Sequence, residues 1–187
     1  MNINELTNEA ISLLKMMVSI PSISREEKDL ADYLEDYLTQ QSMCPKRMGN
    51  NLWCISPYYN IESPTLLLNA HIDTVKPTDS WTRPPFDATV EGDKIYGLGT
   101  NDDGASLVSL LQTFKVLSSK PQPYNLIFLA SCEEEVSGKN GIESILPLLP
   151  RIDVAIVGEP TNMQPAIAEK GLMVLDVTTH GKSGHAA

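Results

Sequence analysis

The chain has 187 residues, 24 Asp plus Glu against 14 Lys plus Arg, and a formal charge of −10. That length suits one domain, or one domain and a piece of another, and roughly 150 residues bury about 70% of their unfolded surface without a disulfide staple. The acidic balance argues against a nucleic-acid or anionic-membrane partner, because both are held by clustered Lys and Arg.

No run approaches the roughly 20 apolar residues of a membrane span, and the start Met1-Asn2-Ile3-Asn4-Glu5 lacks the blocks of a signal peptide. Cys44, Cys54 and Cys132 form no CxxC and are odd in number, which points to a reducing cytoplasm. In chain order, apolar residues recur at helical spacing over 5–19, from Leu6 and Ile11 to Met17 and Val18. Ser24, with Glu27 three residues on, reads as an N-cap opening a helix through Leu30, Tyr33, Leu34 and Leu38. Near-continuous apolar runs at 52–56, 66–69, 126–130 and 154–157 are expected to be strands covered on both faces. Helical stretches at 104–118 and 139–149 fall between them. The alternation predicts an α/β fold, a mostly parallel central sheet flanked by helices. Beyond Pro160 and Pro165, residues 171–179 alternate as a further strand, so one unit is expected to end near 170 and another to begin. Trp53, Trp81, Phe86 and Met163 read as packing residues, and Cys132 as a buried free thiol.

The informative feature is where the apolar runs stop. Leu66 to Ala70 runs into His71-Ile72-Asp73, Leu126 to Ala130 into Ser131-Cys132-Glu133-Glu134-Glu135, and Val154 to Val157 into Gly158-Glu159-Pro160-Thr161. Ligands of open α/β sheets bind beyond the carboxyl ends of strands. A fourth contribution comes from the Gly-rich stretch 97–104, Gly-Leu-Gly-Thr-Asn-Asp-Asp-Gly. Each piece has an ordinary reading: a surface His-x-Asp pair, an N-cap at Asp102-Asp103, a solvated run of Glu, a loop acid at Glu159. A phosphate loop fails, because no Lys or third Gly follows at the required spacing and the acids repel phosphate. Together, several carboxylates at one rim would be driven toward protonation unless a divalent cation joined them. Oxygen ligands with one nitrogen suit zinc, with cobalt or manganese possible. Two such ions about 3.5–4 Å apart need about five protein ligands. His71, Asp102, Glu135 and Glu159 supply four and leave Glu134 free as a base.

The stretches 71–77, 97–102, 134–138, 158–161 and 181–186 resemble, in the same order, the motifs of the di-zinc amidohydrolases that include acetylornithine deacetylase, succinyl-diaminopimelate desuccinylase and aminoacylases. The likeness is strongest to acetylornithine deacetylases. It implies that His71 and Glu159 bind one Zn2+, that Asp102 bridges two, and that Glu135 binds the second. Glu134 is implied as general base on a metal-bound water, and Asp73 as the acid behind His71. His185 is implied as a lid-domain histidine reaching a partner's site in a homodimer, where it stabilises the oxyanion. The implied substrate is a small N-acyl amino acid, and the Asp102–Asp103 peptide is expected to be cis.

Two departures stand out. Leu98 and Gly104 occupy positions where the family commonly carries Arg and Lys, outside the metal shell. Family members are also longer, with a lid inserted in the catalytic domain and a last ligand His far along the chain. The expectation is therefore an N-terminal part, inactive by itself: residues 1–170 from the metal-binding domain and 171–187 from the start of a lid. A di-zinc aminopeptidase or dipeptidase and a non-catalytic metal-binding homologue are the alternatives.

Overall fold

The structure is a computed structural model that describes residues 2–168, 170–171, 173, 175–182 and 184. Asn2 starts helix α1 (Ile3–Ser19) by accepting the Asn4 N–H while Glu5 accepts that of Asn2. Its buried stripe, Leu13, Leu14, Met17 and Val18, has the helical spacing seen in the sequence. Helix α2 (Lys28–Gln40) buries Leu30, Ala31, Leu34 and Leu38. It begins after Glu27, without a side-chain cap. The expected cap at Ser24 is thus corrected: that hydroxyl hydrogen-bonds Asp73 instead.

The central sheet has five strands in the order β1-β2-β6-β3-β7. These are β1 (Lys46–Met48), β2 (Asn51–Ile55), β3 (Thr65–His71), β6 (Asn125–Ser131) and β7 (Val154–Val157). β3 runs parallel to both neighbours, in register from Thr65↔Asn125 to His71↔Ser131 on one side and from Leu66↔Val154 to Asn69↔Val157 on the other. The apolar run at 52–56 joins this parallel core the other way round, since β2 is antiparallel to β6 and forms a hairpin with β1. A separate hairpin, β4 (Thr89–Glu91) with β5 (Lys94–Tyr96), precedes helix α3 (Ala105–Leu117).

One sheet face presents Leu52, Cys54, Leu68, Ala70, Leu126, Phe128 and Ala130 to the three long helices, with Leu107, Leu111 and Phe114 of α3 in the same cluster. The other face is thinner, formed by Trp53, Leu67, Ile127 and Leu129 beneath Ile145. Ile145 ends α4 (Ile142–Ile145). The expected helix over 139–149 shrinks to this turn and a tighter one at Leu146–Leu148, because Pro147 and Pro150 remove donors that a longer helix needs.

Three expectations differ at the end of the chain and on the surface. β7 is exposed at all four positions rather than covered. The described residues of 171–179 lie outside any strand; alternation alone cannot make a strand without a ladder partner. Trp53 packs as expected, whereas Trp81 and Met163 are exposed.

Candidate metal centre

The parallel strands β3, β6 and β7 all end at the same rim, and the acids follow from there. β3 carries His71 as its last residue, 3% exposed. Beyond it the backbone stays locked to the neighbour, with the Ile72 N–H donating to the Ser131 carbonyl at 2.8 Å. The chain after β7 is drawn in likewise, Gly158 N–H donating to the Asn69 carbonyl at 2.7 Å. A wide turn, Thr100–Gly104, leads into α3. It is entered through Gly99 at φ 76°, where an added Cβ would lie 2.7 Å from the Thr74 methyl, so only glycine suits both the backbone and the space. The Asp102–Asp103 peptide is cis, as the resemblance implies.

These elements gather His71, Asp102, Glu134, Glu135 and Glu159. The His71 Nε2 lies 3.0 Å from Asp102 Oδ1 and 3.9 Å from Glu134 Oε2. Ligand atoms of His71, Asp102 and Glu135 lie within 4.8 Å of one another, and so do those of His71, Glu134 and Glu159. Both triads share the imidazole, but Asp102 and Glu159 fall in different ones. The resemblance implied His71 and Glu159 on one ion with Asp102 bridging two; His71 falls with each of these acids in one triad. His185 lies outside the described residues.

Asp73 is fully buried, and its work is broader than orienting the imidazole. His71 Nδ1 donates to the backbone carbonyl of Asp73 at 2.8 Å, while the Asp73 carboxylate is farther off at 3.5 Å. That carboxylate instead accepts the backbone N–H of Glu134 at 3.0 Å and of Glu135 at 3.1 Å. Burial alone would raise its pKa, but the neighbouring His71 ring and the hydrogen bonds from Ser24 and the Glu134 N–H outweigh burial and hold it below the usual range.

Asp103, read in the sequence as part of an N-cap and of the cis peptide, is a buried neighbour of the site. It is 1% exposed, and its Oδ2 accepts the His71 backbone N–H at 3.3 Å. Burial, helped by the charge of Asp102, pushes it up to about 6 against the pull of Ser106 and His71. In the sequence nothing separates two adjacent aspartates; only the turn sends one to the rim and the other inward.

The electrostatics follow from crowding. Burial pushes Glu159 up to about 7, with the charges of Asp103, Glu134 and Asp102 adding to it and His71 opposing. Glu135 is raised by burial and by Asp102. Burial disfavours charge on His71, yet the adjacent Asp73 carboxylate, with the charges of Asp103 and Glu134, raises it to about 10. One imidazole nitrogen among four crowded carboxylates is a donor set for a divalent cation, which relieves the repulsion that these shifts express. The residues fit such an ion.

An α/β sheet that collects one imidazole and several acids at its carboxyl edge is a metal-binding scaffold. The chain belongs to Peptidase family M20/M25/M40, whose sequence model matches residues 67–180. It is 32% identical over 192 residues to an acetylornithine deacetylase of Shigella sonnei, covering 95% of this chain and 49% of that protein. It is 30% identical over 200 residues to a succinyl-diaminopimelate desuccinylase of Blochmanniella floridana, covering 97% and 52%. Among solved structures, an M20 family metallo-carboxypeptidase from Sulfolobus solfataricus superposes with a TM-score of 0.66 at 26% identity, covering 80% of this chain and 37% of that one. The chain thus spans about half the length of the curated relatives it matches.

Proposed function

We propose that this chain is the metal-holding part of a di-zinc amidohydrolase that removes an acetyl or succinyl group from the nitrogen of an amino acid such as ornithine. The observation that carries the reading is the convergence of carboxylates from three segments on the imidazole of His71. The names of the two relatives support the substrate class. His71, Asp102, Glu135 and Glu159 would hold zinc, with cobalt or manganese as substitutes. When bound, such ions polarise an amide carbonyl and lower the pKa of water.

The chain's own groups do the rest. Glu134, its side chain 51% exposed at the rim, takes a proton from the attacking water and returns it to the leaving amine as the acyl carbon–nitrogen bond breaks. The Asp73 carbonyl accepts the Nδ1 hydrogen of His71 and so aims Nε2 at the acids, where a bound cation would displace its proton. The same reading assigns residues 1–170 to the catalytic unit and 171–187 to the start of a lid. It places His185 at a partner's oxyanion in a cytoplasmic homodimer. Among the described residues no helix is long and apolar enough to cross a membrane.

A peptidase reading is favoured by the likeness to the metallo-carboxypeptidase. Assay of the full-length protein on N-acetylornithine, N-succinyl amino acids and dipeptides separates the two, with the acyl substrates expected to turn over faster. Glu134→Ala should cut turnover by about 10²–10⁴-fold while metal content stays the same. Undiminished turnover would remove Glu134 from the mechanism, and a wild-type protein that binds metal yet hydrolyses neither class would point to a non-catalytic homologue.

A further inference from the structure

The sequence pattern Ser24-x-x-Glu27 has the form of a capping box, yet neither side chain caps α2. Both turn toward the back of the acid-bearing loop. The segment 22–24 lies alongside the continuation of β3: the Thr74 N–H donates to the Ser22 carbonyl at 2.9 Å, and the Ser24 N–H to the Thr74 carbonyl at 3.1 Å. That docking brings the Ser24 hydroxyl to Asp73 Oδ2, where it donates at 2.7 Å.

Glu27 is 0% exposed, with all its carboxylate bonds made to three separate parts of the chain. Its Oε1 accepts the Arg25 N–H at 2.7 Å and the Glu133 N–H at 3.2 Å, and its Oε2 accepts the Asn50 side-chain amide at 2.9 Å. Three successive backbone N–H groups, those of Glu133, Glu134 and Glu135, are therefore each held by a buried carboxylate: the first by Glu27, the next two by Asp73. Glu133 itself sits at φ 55°, a conformation that costs energy for a residue other than glycine and persists only where its surroundings fix it. Its own carboxylate accepts from the Asn140 side chain at 2.8 Å, bracing the loop from the other side.

We propose that Ser24 and Glu27 are positioning residues for the metal centre, Ser24 by fixing the Asp73 carboxylate and Glu27 by fixing the backbone that aims Glu134 and Glu135. The proposal rests on the metal-binding reading above and adds a part of the chain, the turn before α2, that contributes no ligand. Groups that orient metal ligands through hydrogen bonds typically cost about 10–100-fold in metal affinity when removed.

The test is titration of the full-length protein with Co2+, following visible absorption and the rise in melting temperature on metal addition. Ser24→Ala should weaken Co2+ binding by about tenfold or more and alter the absorption bands. Ser24→Thr, which keeps the hydroxyl, should recover the wild-type spectrum. Glu27→Gln should weaken binding in the same way, through Glu133. A residue that merely stabilises the fold would lower the metal-free melting temperature but leave the Co2+ dissociation constant and spectrum unchanged; that result overturns the proposal. Should Ser24→Ala fail to fold, Ser24→Cys keeps the size and weakens the hydrogen bond, and is judged by the same two readouts. A full-length wild-type protein that binds no Co2+ would remove the metal reading, and this inference with it, whereas wild-type binding with unaffected variants would sink this inference alone.

Discussion

β6 and β7 flank the same strand, run parallel to it and are almost equally apolar, yet they live in opposite environments. Every residue of β6 is buried, while Val154, Ile156 and Val157 of β7 are 59%, 49% and 56% exposed. The difference is not in the strands but in what surrounds them. β6 has β2 on its far edge and α3 above it; β7 is the last strand of the sheet among the described residues. An apolar run therefore announces a strand and its ladder, but the layer over it has to come from elsewhere.

The sharpest way to break this contrast is one substitution made on both sides of β3. Ile127→Ala removes a fully buried side chain and should destabilise the chain by about 2–5 kcal/mol. Ile156→Ala should cost less than about 1 kcal/mol in the same urea titration. Equal losses would mean that β7 is covered in solution.

A smaller effect tests the cover over β6. Glu9 of α1 and Lys115 of α3 form an ion pair, with Tyr37 donating to the same carboxylate. Burial alone would raise the Glu9 pKa, but the bonds from Lys115 and Tyr37 outweigh it and hold the carboxyl below its ordinary value. Because the folded pKa is depressed, the stabilisation is present at neutral pH and is lost as pH falls from 4.5 through that lower value. Glu9→Gln should thus cost about 0.2–1 kcal/mol at pH 7 and progressively less in acid, as read from thermal melts across pH.

The smallest expected change in stability is at β7. Val154→Lys should shift it by no more than about 0.5 kcal/mol while lowering self-association in light scattering, because a charge on an outer strand discourages edge pairing. Unchanged scattering would show that this edge does not drive association.

Most of the rim was legible in the sequence, because buried parallel strands are continuous apolar runs and the polar residues that end them have nowhere else to go. His71, Glu134 and Glu135 reach the rim for that reason, whereas Glu159 follows the exposed β7 and Asp102 arrives through the Gly-rich turn. The hairpins of β1 and of β4 with β5 were not legible, since their three-residue strands are largely exposed and carry little periodic signal. The Ser24–Glu27 pattern misled for a different reason. A serine and a glutamate three residues apart satisfy a helix end equally well in any context, and only the distant partners Asp73 and Glu133 decide otherwise.

Burial also sorts the sulfur atoms. Cys54 and Cys132 lie inside, where desolvation pushes their thiols up to about 12, so almost none of either is nucleophilic thiolate at neutral pH. Cys44 stands in solvent between α2 and β1. An alkylating dye or spin label applied to the native chain thus has one point of attachment, on a connecting segment that supplies nothing to the rim.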